Sequence, residues 1–387
     1  MCRMKSVPGL SVQQVRSGRD LEIFLGVPFV LHKNEPFWVP VPKFIEKDQL
    51  SPDRNPFWTE AKRELFVAMR DGSPVGRIVA IQDNRLDKNT GERVGAWGYF
   101  VCEENVETAL ALFQAVEAWH AQRPEGEAVF LRGPLNPSLN YTAGLLVEGF
   151  DHFPCFMTPY NPEYYHGLIA ACGMAKEEDL YCYRFSREVM QGLCDSIFGK
   201  TSASDSEYRI RRSVWKTFFN DMRLLAEMFD KCWSDNWGFT PLTAEEIHYS
   251  WSLMRYLPVS GELFFLEHRG QTVGMVLFGA DLGPLFKLLN GRMLSLSTPF
   301  NIVKGLRSVK GVRIYLLGVT PKYRRTRAIF RLLNETINMA MATPTNNYVD
   351  GGWILERNIK MIKICEHLGG KVANRLRIYR RECTHGK

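Results

Sequence analysis

Two stretches of this chain repeat each other at a nearly constant spacing, and this internal duplication constrains the fold more than any other feature. Residues 64–76 align without a gap on residues 262–274, at an offset of 198 positions (262 − 64). Segments 173–184 and 369–380 also resemble each other, at an offset of 196 positions (369 − 173). Two similarities at almost one offset indicate a repeated structural unit.

The duplication predicts two copies of one α/β unit, over residues 1–198 and 199–387, with segment 199–205 as the linker. Within the first repeated stretch, Asp71 and Gly72 separate two short apolar runs. This pair favours a tight β-hairpin turn, because glycine adopts a positive φ without strain. We therefore expect the same hairpin in each copy.

The second copy continues with a strand, a basic turn and a helix in direct succession. Residues 312–319 form an apolar run of strand length, Thr320 and Pro321 interrupt it, and residues 322–327 include four basic side chains. From Ile329 onward, apolar residues recur with helical spacing. A helix N-terminus favours an anion, and arginine adds charge-assisted hydrogen bonds. The segment therefore predicts a pyrophosphate-binding site, with a basic surface helix as the alternative.

The first copy differs at the corresponding point. Its central strand, near residues 97–101, leads into Cys102, Glu103, Glu104 and Asn105, which include no arginine and no glycine. The two carboxylates would repel a pyrophosphate. We therefore expect the anion site in the second copy and not in the first.

A long segment rich in glycine and polar residues follows in the first copy, from residue 133 to residue 165. Loops of this kind inside a folded domain are usually functional. The segment contains Asp151 next to His152, where the imidazole is suited to act as a base and the carboxylate to orient an amine. A purely structural hydrogen bond between the two side chains is the alternative.

The succession of strand, basic loop, helix and strand resembles the central half of the GNAT acyltransferase superfamily. In that superfamily the loop holds the pantetheine and pyrophosphate of an acyl-CoA. The resemblance implies that Arg324, Arg325, Arg327 and Ala328 hold the donor here. The chain departs from the pattern at Arg327, where the superfamily usually has glycine.

Further segments resemble one family of tandem GNAT N-acyltransferases, which includes the bacterial ceramide synthases. The resemblance covers most of residues 18–382, and the segments are 133–136, 144–146, 149–151, 160–165, 236–241, 356–358 and 377–379. The resemblance implies an α/β fold of two fused GNAT-type domains, each with a mixed, mostly antiparallel sheet flanked by helices. It also implies transfer of an acyl group from a thioester, on CoA or an acyl carrier protein, to an amine, which in the ceramide synthases is a long-chain sphingoid base. Tyr141 and Thr142 depart from that family, in which acidic residues are expected.

This chemistry requires an oxyanion donor, a base and an acid. The resemblance implies backbone N–H groups at Leu317 and Val319 as oxyanion donors. The candidate bases are Glu356, Asp151 and His152, and the candidate acids are Tyr379 and Tyr160. Asn358 is expected at the donor, although Asn358 and Glu356 both also favour helix starts. The residues expected to bind the acceptor are polar or aromatic and lie in loops: Asn136, Asn140, Tyr141, Tyr160 and Trp237.

Composition excludes several classes of protein. With 45% hydrophobic and 24% charged residues, a chain of 387 residues has material for two globular domains. No apolar run reaches the roughly 18 residues that span a bilayer, and the first residues lack the apolar core of a signal peptide. Nine cysteines without a C-x-x-C pair predict no structural zinc and no disulfide framework. We expect a cytoplasmic enzyme with no metal and no permanently bound cofactor.

The net charge of +7 suits an anionic partner, such as CoA, a carrier protein, an acidic membrane surface or RNA. Two other functions therefore stay open. One is an enzyme that uses aminoacyl-tRNA as donor, like the fused GNAT pairs of the Fem type, with arginine clusters on the phosphates. The other is a non-catalytic binding protein. Peripheral contact with a membrane is compatible with each of them.

Overall fold

A computed structural model describes residues 8–124, 126–198, 207–214, 216–254, 261–291 and 298–383. By their internal contacts the residues form two compact units. Unit 1 comprises Met1–Leu180, Asn290–Met293 and Asn374–Lys387, and unit 2 comprises Tyr181–Leu289 and Leu294–Ala373. The predicted linker at 199–205 lies outside the described residues.

The two units do not coincide with the two predicted halves of the chain. The division falls at Leu180, inside a strand, and residues 374–387 belong to unit 1. Residues 181–186 precede the expected boundary but belong to unit 2. The last strand of each half therefore contributes to the other compact unit. As a division into two sequence copies, 1–198 and 199–387 stays a prediction.

The elements follow one another in a mixed α/β order. The first are β1 (Leu10–Gln14), α1 (Gly18–Leu31), α2 (Lys43–Gln49), β2 (Ala61–Arg70), β3 (Ser73–Asp83), α3 (Asn84–Thr90), β4 (Val94–Cys102), α4 (Val106–His120), β5 (Phe130–Gly133), β6 (Leu135–Asn136), β7 (Thr142–Ala143), β8 (Leu145–Glu148), α5 (Tyr165–Ala171) and β9 (Ala175–Ser186). The next are α6 (Arg187–Leu193), β10 (Tyr208–Arg212), α7 (Phe218–Trp233), α8 (Ala244–Met254), β11 (Glu262–His268), β12 (Gln271–Ala280), α9 (Gly283–Leu289), α10 (Thr298–Arg307), β13 (Gly311–Val319), α11 (Ala328–Met341), β14 (Tyr348–Leu355), α12 (Ile359–His367) and β15 (Lys371–Glu382).

The sheet of unit 1 has the order β1-β2-β3-β4-β5, and the C-terminal part of β15 follows β5. Its neighbours are antiparallel except β4 and β5, which run parallel. A core that includes Trp97, Phe113 and Tyr165 packs between this sheet and α4. The predicted hairpin is confirmed, since Asp71 and Gly72 turn the chain between β2 and β3 with φ of 48° and 79°.

The sheet of unit 2 has the order β10-β11-β12-β13-β14, with β9 beyond β14, and β13 and β14 are its parallel pair. Successive side chains of β11 point to opposite faces. Leu263 and Phe265 pack with α7, whereas Phe264 and Leu266 pack with α11. The predicted α/β class, with a mixed and mostly antiparallel sheet, is confirmed in each unit. Among the described residues, no helix is long and apolar enough to cross a lipid bilayer.

Candidate active site

In unit 2 the parallel strands β13 and β14 pair only where they begin. The ladder joins residues 311–313 to residues 348–350, and both strands continue beyond it. Just past the ladder, Gly352 has a φ of +71° and donates its N–H to Asp350 Oδ1 at 3.0 Å. A Cβ at Gly352 would lie 2.9 Å from the carbonyl oxygen of Ile314, so glycine permits the close approach at this point. Beyond these residues the described part of the chain shows no ladder between β13 and β14, and the region between the two strands is called the cleft.

The apex of this cleft contains a buried ion pair. Asp350 is fully buried, and its oxygens lie 3.5 Å from Arg313 Nη1 and 3.9 Å from Arg184 Nη2. Burial raises the pKa of Asp350, although both guanidinium groups act in the opposite direction. Because Arg313 belongs to β13 and Asp350 to β14, the pair holds the two strands together where their ladder ends.

The open side of β13 presents backbone N–H groups to the cleft. Thr320 donates its N–H toward β12, to the carbonyl oxygen of Val273 at 2.9 Å. Successive N–H groups of a strand alternate in direction. Those of Val319 and Leu317 therefore point to the other side, where β14 has separated. The irregularity in the β12–β13 register comes earlier in the strand, near Tyr315.

Both walls of the cleft are accessible to solvent. On β13, Tyr315, Leu316 and Leu317 are half-buried, and on β14 the same holds for Trp353 and Ile354. Parallel strands such as β13 and β14 are normally covered on both faces. Partly exposed apolar side chains on two such strands indicate a surface that a ligand can cover.

The basic loop after β13 is anchored to the rest of unit 2 by two side chains. The Tyr323 hydroxyl lies 3.0 Å from Nδ1 of His268. The guanidinium of Arg324 donates to the carbonyl oxygen of Cys232 at 2.7 Å. One of the five guanidinium donors of Arg324 is therefore used inside the protein, and the side chain stays exposed.

Helix α11 begins directly after this loop. Arg327 is its N-cap residue, and Ala328 is buried at its first position. The hydroxyl of Thr326 accepts the N–H of Ala328 at 3.2 Å, so the loop itself satisfies one of the free donors of the helix start. Arg325 is exposed at the mouth of the loop. The predicted donor residues Arg324, Arg325, Arg327 and Ala328 thus lie together at the N-terminus of one helix.

Positive charge is concentrated around this site. Residues 282–334 contain eleven Lys or Arg and no Asp or Glu. The whole chain has 49 basic and 42 acidic residues, so the remainder has 38 basic against 42 acidic residues and a net charge of −4. All of the positive excess therefore lies in the segment that contains α10, β13 and the basic loop. Such a field favours anionic ligands.

Three further predicted residues lie in unit 2. Asn358 is the N-cap of α12, and its Oδ1 accepts the N–H of Met361 at 3.3 Å, which is the capping role that its residue type favours. Glu356 is half-buried at the end of β14. The guanidinium of Arg357 lies 5.2 Å from the ring centroid of Trp237, within cation–π range. Trp237 is thereby placed next to the turn that follows β14.

Unit 1 contains a cleft of the same origin. Its parallel strands β4 and β5 pair only over residues 94–96 and 130–132. Gly76 pairs with Cys102 on β4, as Gly274 pairs with Val319 on β13. Because the two glycines coincide in the repeat, Cys102 is the counterpart of Val319.

The cleft of unit 1 is filled by the chain itself. The N–H of Cys102 is donated to the hydroxyl of Tyr165 at 2.9 Å, and that hydroxyl also lies 2.9 Å from Nε2 of His32. The N–H of Tyr99 is donated to Oδ1 of Asn136 at 2.6 Å. Every residue of β4 is buried. The N–H of Cys102, which is the counterpart of the Val319 N–H, therefore has an internal partner in unit 1.

The residues predicted to bind an acceptor in unit 1 have different surroundings. Asn136 has the internal partner just described. Tyr141 is buried and donates to Asn55 Oδ1 at 3.0 Å, whereas Asn140 is half-buried. Tyr160 is half-buried with its hydroxyl 3.4 Å from Glu35, and burial raises the pKa of Tyr160 to about 12.

Asp151 and His152 form a hydrogen-bonded pair. Oδ1 of Asp151 lies 2.8 Å from Nδ1 of His152, and this bond lowers the pKa of Asp151. Within the described part of the chain, Nε2 of His152 is buried without a hydrogen-bond partner. The geometry suits an oriented base and equally a structural pair, so both interpretations of the sequence stand.

Tyr379 lies in unit 1, on the part of β15 that pairs with β5. Its register partner is Gly133, and its hydroxyl lies 2.9 Å from Nδ1 of His166. Burial raises the pKa of Tyr379 to about 12. In unit 2 the strand next to β14 is β9, which carries Tyr181 and Tyr183 and lies on the side of β14 away from β13.

Sequence reasoning missed these tyrosines. The backbone oxygen of Tyr183 lies 3.5 Å from the Cβ position of Gly351 on β14. The Tyr183 side chain is buried and donates to Glu366 at 3.3 Å, whereas Tyr181 is half-buried on the same strand. The signal was available, because the repeat aligns Tyr183 with Tyr379.

Comparison with known proteins places this geometry among acyltransferases. The chain is 32% identical to the protein named bacterial ceramide synthase from Caulobacter vibrioides (strain NA1000 / CB15N), over 96% of this chain and 97% of that protein. It is 28% identical to protein YghO from Escherichia coli (strain K12), over 99% of this chain and 97% of that protein. No protein-family model matches the chain.

Solved structures support the same fold. A tandem GNAT protein from the clavulanic acid biosynthesis pathway has a TM-score of 0.58 at 12% identity, covering 98% of this chain and 100% of that protein. A GCN5-related N-acetyltransferase from Sphaerobacter thermophilus has a TM-score of 0.52 at 12% identity, covering 97% and 96%. At such identities the similarity concerns the fold, and it confirms the predicted tandem GNAT architecture.

Proposed function

This chain belongs to the family of the bacterial ceramide synthase, and on that premise we propose that it transfers an acyl group from a thioester to the amino group of a long-chain amino-alcohol. The predicted family and the predicted class of enzyme, an acyltransferase of GNAT type, are confirmed. The N-acyl chemistry, the donor and the acceptor form the proposed part. We take acyl-CoA as the donor and an amino-alcohol with an alkyl chain as the acceptor.

One observation carries the proposal, namely that the parallel ladder of β13 and β14 ends after three residue pairs in a unit with a basic helix N-terminus directly after β13. A CoA thioester is a long anionic molecule with a narrow pantetheine arm. A cleft between two splayed strands suits that arm, and the N-terminus of α11 with Arg325 and Arg327 suits its phosphates. The positive field of residues 282–334 would attract the same ligand.

The N–H groups of Leu317 and Val319 are suited to the reacting carbonyl. In the proposed reaction the amine nitrogen attacks the thioester carbon, and the carbonyl oxygen becomes an oxyanion. Backbone donors that already point into the cleft stabilise that charge without reorganising. Collapse of the tetrahedral species forms the C–N bond and breaks the C–S bond, leaving a thiolate.

Three proton transfers complete the reaction. The acceptor ammonium must lose a proton before attack and a second proton as the amide forms, and the thiolate must gain one. We assign the base to Glu356, half-buried at the end of β14, and the acid to Tyr181 on β9. The other candidate bases and acids lie in unit 1 and are Asp151, His152, Tyr160 and Tyr379.

The test offers one acceptor, sphinganine, with four donors in parallel: palmitoyl-CoA, acetyl-CoA, palmitoyl-acyl carrier protein and a charged tRNA pool. Amide product is measured by mass spectrometry, and donor binding is measured as a rise in melting temperature. We expect amide from a palmitoyl thioester, and a lower rate of amide formation in Arg325→Ala when the donor is CoA. A product or a melting shift with charged tRNA alone would contradict the thioester donor. Amide from thioesters with small amines but never with sphinganine would contradict the acceptor.

A further inference from the structure

Helix α10 has an outward face that combines large apolar side chains with cations. Phe300 is 69% exposed and Val303 is 49% exposed. Lys304 and Arg307 are exposed as well. These residues have the helical spacing i, i+3, i+4 and i+7, so they lie in one stripe about 100° wide.

The opposite face of α10 attaches the helix to unit 2. Thr298 and Gly305 are buried, and a Cβ on Gly305 would lie 2.8 Å from the Cα of Leu285 in α9. Packing of α10 therefore uses the face that carries the smallest residues. The exposed Phe300 and Val303 are not needed for this packing.

Another exposed aromatic residue of unit 2 has different surroundings. Phe219 on α7 is 70% exposed, but its ring stacks on His248 with centroids 5.4 Å apart. The solvent side of α7 also carries Glu227 and Asp230. Of the two helices, α10 therefore exposes large apolar side chains next to positive charges alone, whereas α7 exposes negative charges as well.

We propose that the outer face of α10 docks unit 2 onto an anionic lipid surface. The local charge favours this occupant, since α10 lies within the 53 residues 282–334, which carry no acidic side chain. An anionic lipid surface offers negative headgroups to Lys304 and Arg307 and an apolar phase to Phe300 and Val303. One short face of this kind gives reversible binding. The inference does not rest on the proposed acyl transfer.

The test measures sedimentation of the full chain with vesicles of phosphatidylcholine alone and of phosphatidylcholine containing phosphatidylglycerol. We expect binding to the anionic vesicles. Lys304→Gln and Arg307→Gln should each lower the partition coefficient about fivefold, because each basic residue contributes separately near an anionic surface. Phe300→Ser should lower it about tenfold through loss of apolar burial. Phe219→Ser is the matched control and should leave the partition coefficient unchanged.

Several outcomes would overturn the proposal. One is absence of binding to anionic vesicles. Another is an equal effect of Phe300→Ser and Phe219→Ser. A third is binding that Arg325→Gln abolishes while the α10 variants leave it intact, which would assign the contact to the donor loop. Binding that salt removes completely and that Phe300→Ser does not alter would indicate a nucleic acid or an acidic protein as the partner. Amide synthesis from detergent-dispersed substrates is measured separately, so failure of one proposal is distinguishable from failure of the other.

Discussion

The two clefts of this protein have the same origin and opposite contents. In each unit a parallel strand pair separates after three residue pairs, over residues 94–96 in unit 1 and 311–313 in unit 2. In unit 1 the side chains of Tyr165 and Asn136 bond to the backbone of β4. In unit 2 the corresponding side of β13 faces the region beyond the end of its ladder with β14. The separation of the strands is therefore a property of the fold, and ligand binding depends on what fills the space.

The difference between the two clefts follows because backbone N–H groups need hydrogen-bond partners. A buried N–H without a hydrogen bond is costly, so folded proteins rarely contain one. Unit 1 satisfies the N–H of Cys102 internally, with the hydroxyl of a fully buried tyrosine. In unit 2 the N–H groups of Leu317 and Val319 point away from β12, toward the region beyond the end of the β13–β14 ladder. The filled cleft favours stability and the open one favours binding.

The largest effect is expected from a substitution that removes one backbone N–H from the cleft. Val319→Pro should lower kcat/KM for amide formation about 100-fold or more, as loss of one oxyanion donor does. The β12 ladder keeps its bonds, because this N–H points away from β12. Val319→Ala retains the N–H and serves as the control, with kcat/KM near that of the unaltered chain. A Val319→Pro protein with unchanged melting temperature and unchanged kcat/KM would refute the assigned donor.

The second expected effect concerns acid stability and arises in unit 1. Burial lowers the pKa of His32 and of His120 to about 3. Since the unfolded value is about 6.5, the unfolded chain binds more protons between pH 6.5 and 3. The stabilisation is complete above pH 6.5 and is lost progressively as the pH falls toward 3. At pH 5 the loss should be about 2 kcal/mol for each histidine.

Urea unfolding at pH 7 and at pH 5 checks this expectation. His120 accounts for one of the two expected losses of stability. Its Nε2 lies 3.1 Å from the carbonyl oxygen of Ala96. His120→Gln keeps a donor for that carbonyl but does not titrate. The pH-dependent loss in the variant should be smaller by about 2 kcal/mol. An identical loss in both proteins would show that His120 does not contribute.

The third expected effect separates phosphate binding from chemistry. Arg325→Gln should raise KM for acyl-CoA about tenfold, because a hydrogen bond to a charged group contributes about 1.5 kcal/mol. KM for an acyl-N-acetylcysteamine thioester, which has no pyrophosphate, should stay unchanged. Arg223→Gln removes an exposed arginine of α7 and is the matched control. Equal increases for both donors would argue against a pyrophosphate contact.

The smallest expected effect comes from reopening the filled cleft. Tyr165→Phe removes the hydroxyl that accepts the N–H of Cys102 and should lower the free energy of unfolding by about 1 kcal/mol. Steady-state kinetics should show unchanged kcat/KM, because unit 1 takes no part in donor binding in the proposed mechanism. A tenfold fall of kcat/KM without a change in stability would instead assign the cleft of unit 1 to the reaction.

Local patterns were enough to predict much of this protein. The hairpin at Asp71 and Gly72 depends on residues adjacent in sequence, and the strand, loop and helix around Arg325 depend on a continuous run. The duplication followed from the repeated sequence itself. The donor residues predicted from the sequence lie together at the start of α11, although their role stays a prediction. The sequence also predicted capping of α12 by Asn358, as an alternative to a role at the donor, because capping depends on residues adjacent in sequence.

The sequence by itself therefore determined the duplication, the α/β class and the basic helix start of the second copy, because each of these depends on neighbouring residues or on a fixed period. Only the tertiary structure decided that Tyr165, 63 positions after Cys102, fills the first cleft. It also decided that the tyrosines of β9 stand beside β14, while Tyr379 pairs with β5. Strand neighbours and buried hydrogen-bond partners are chosen by packing between segments distant in sequence, and no local period encodes that choice.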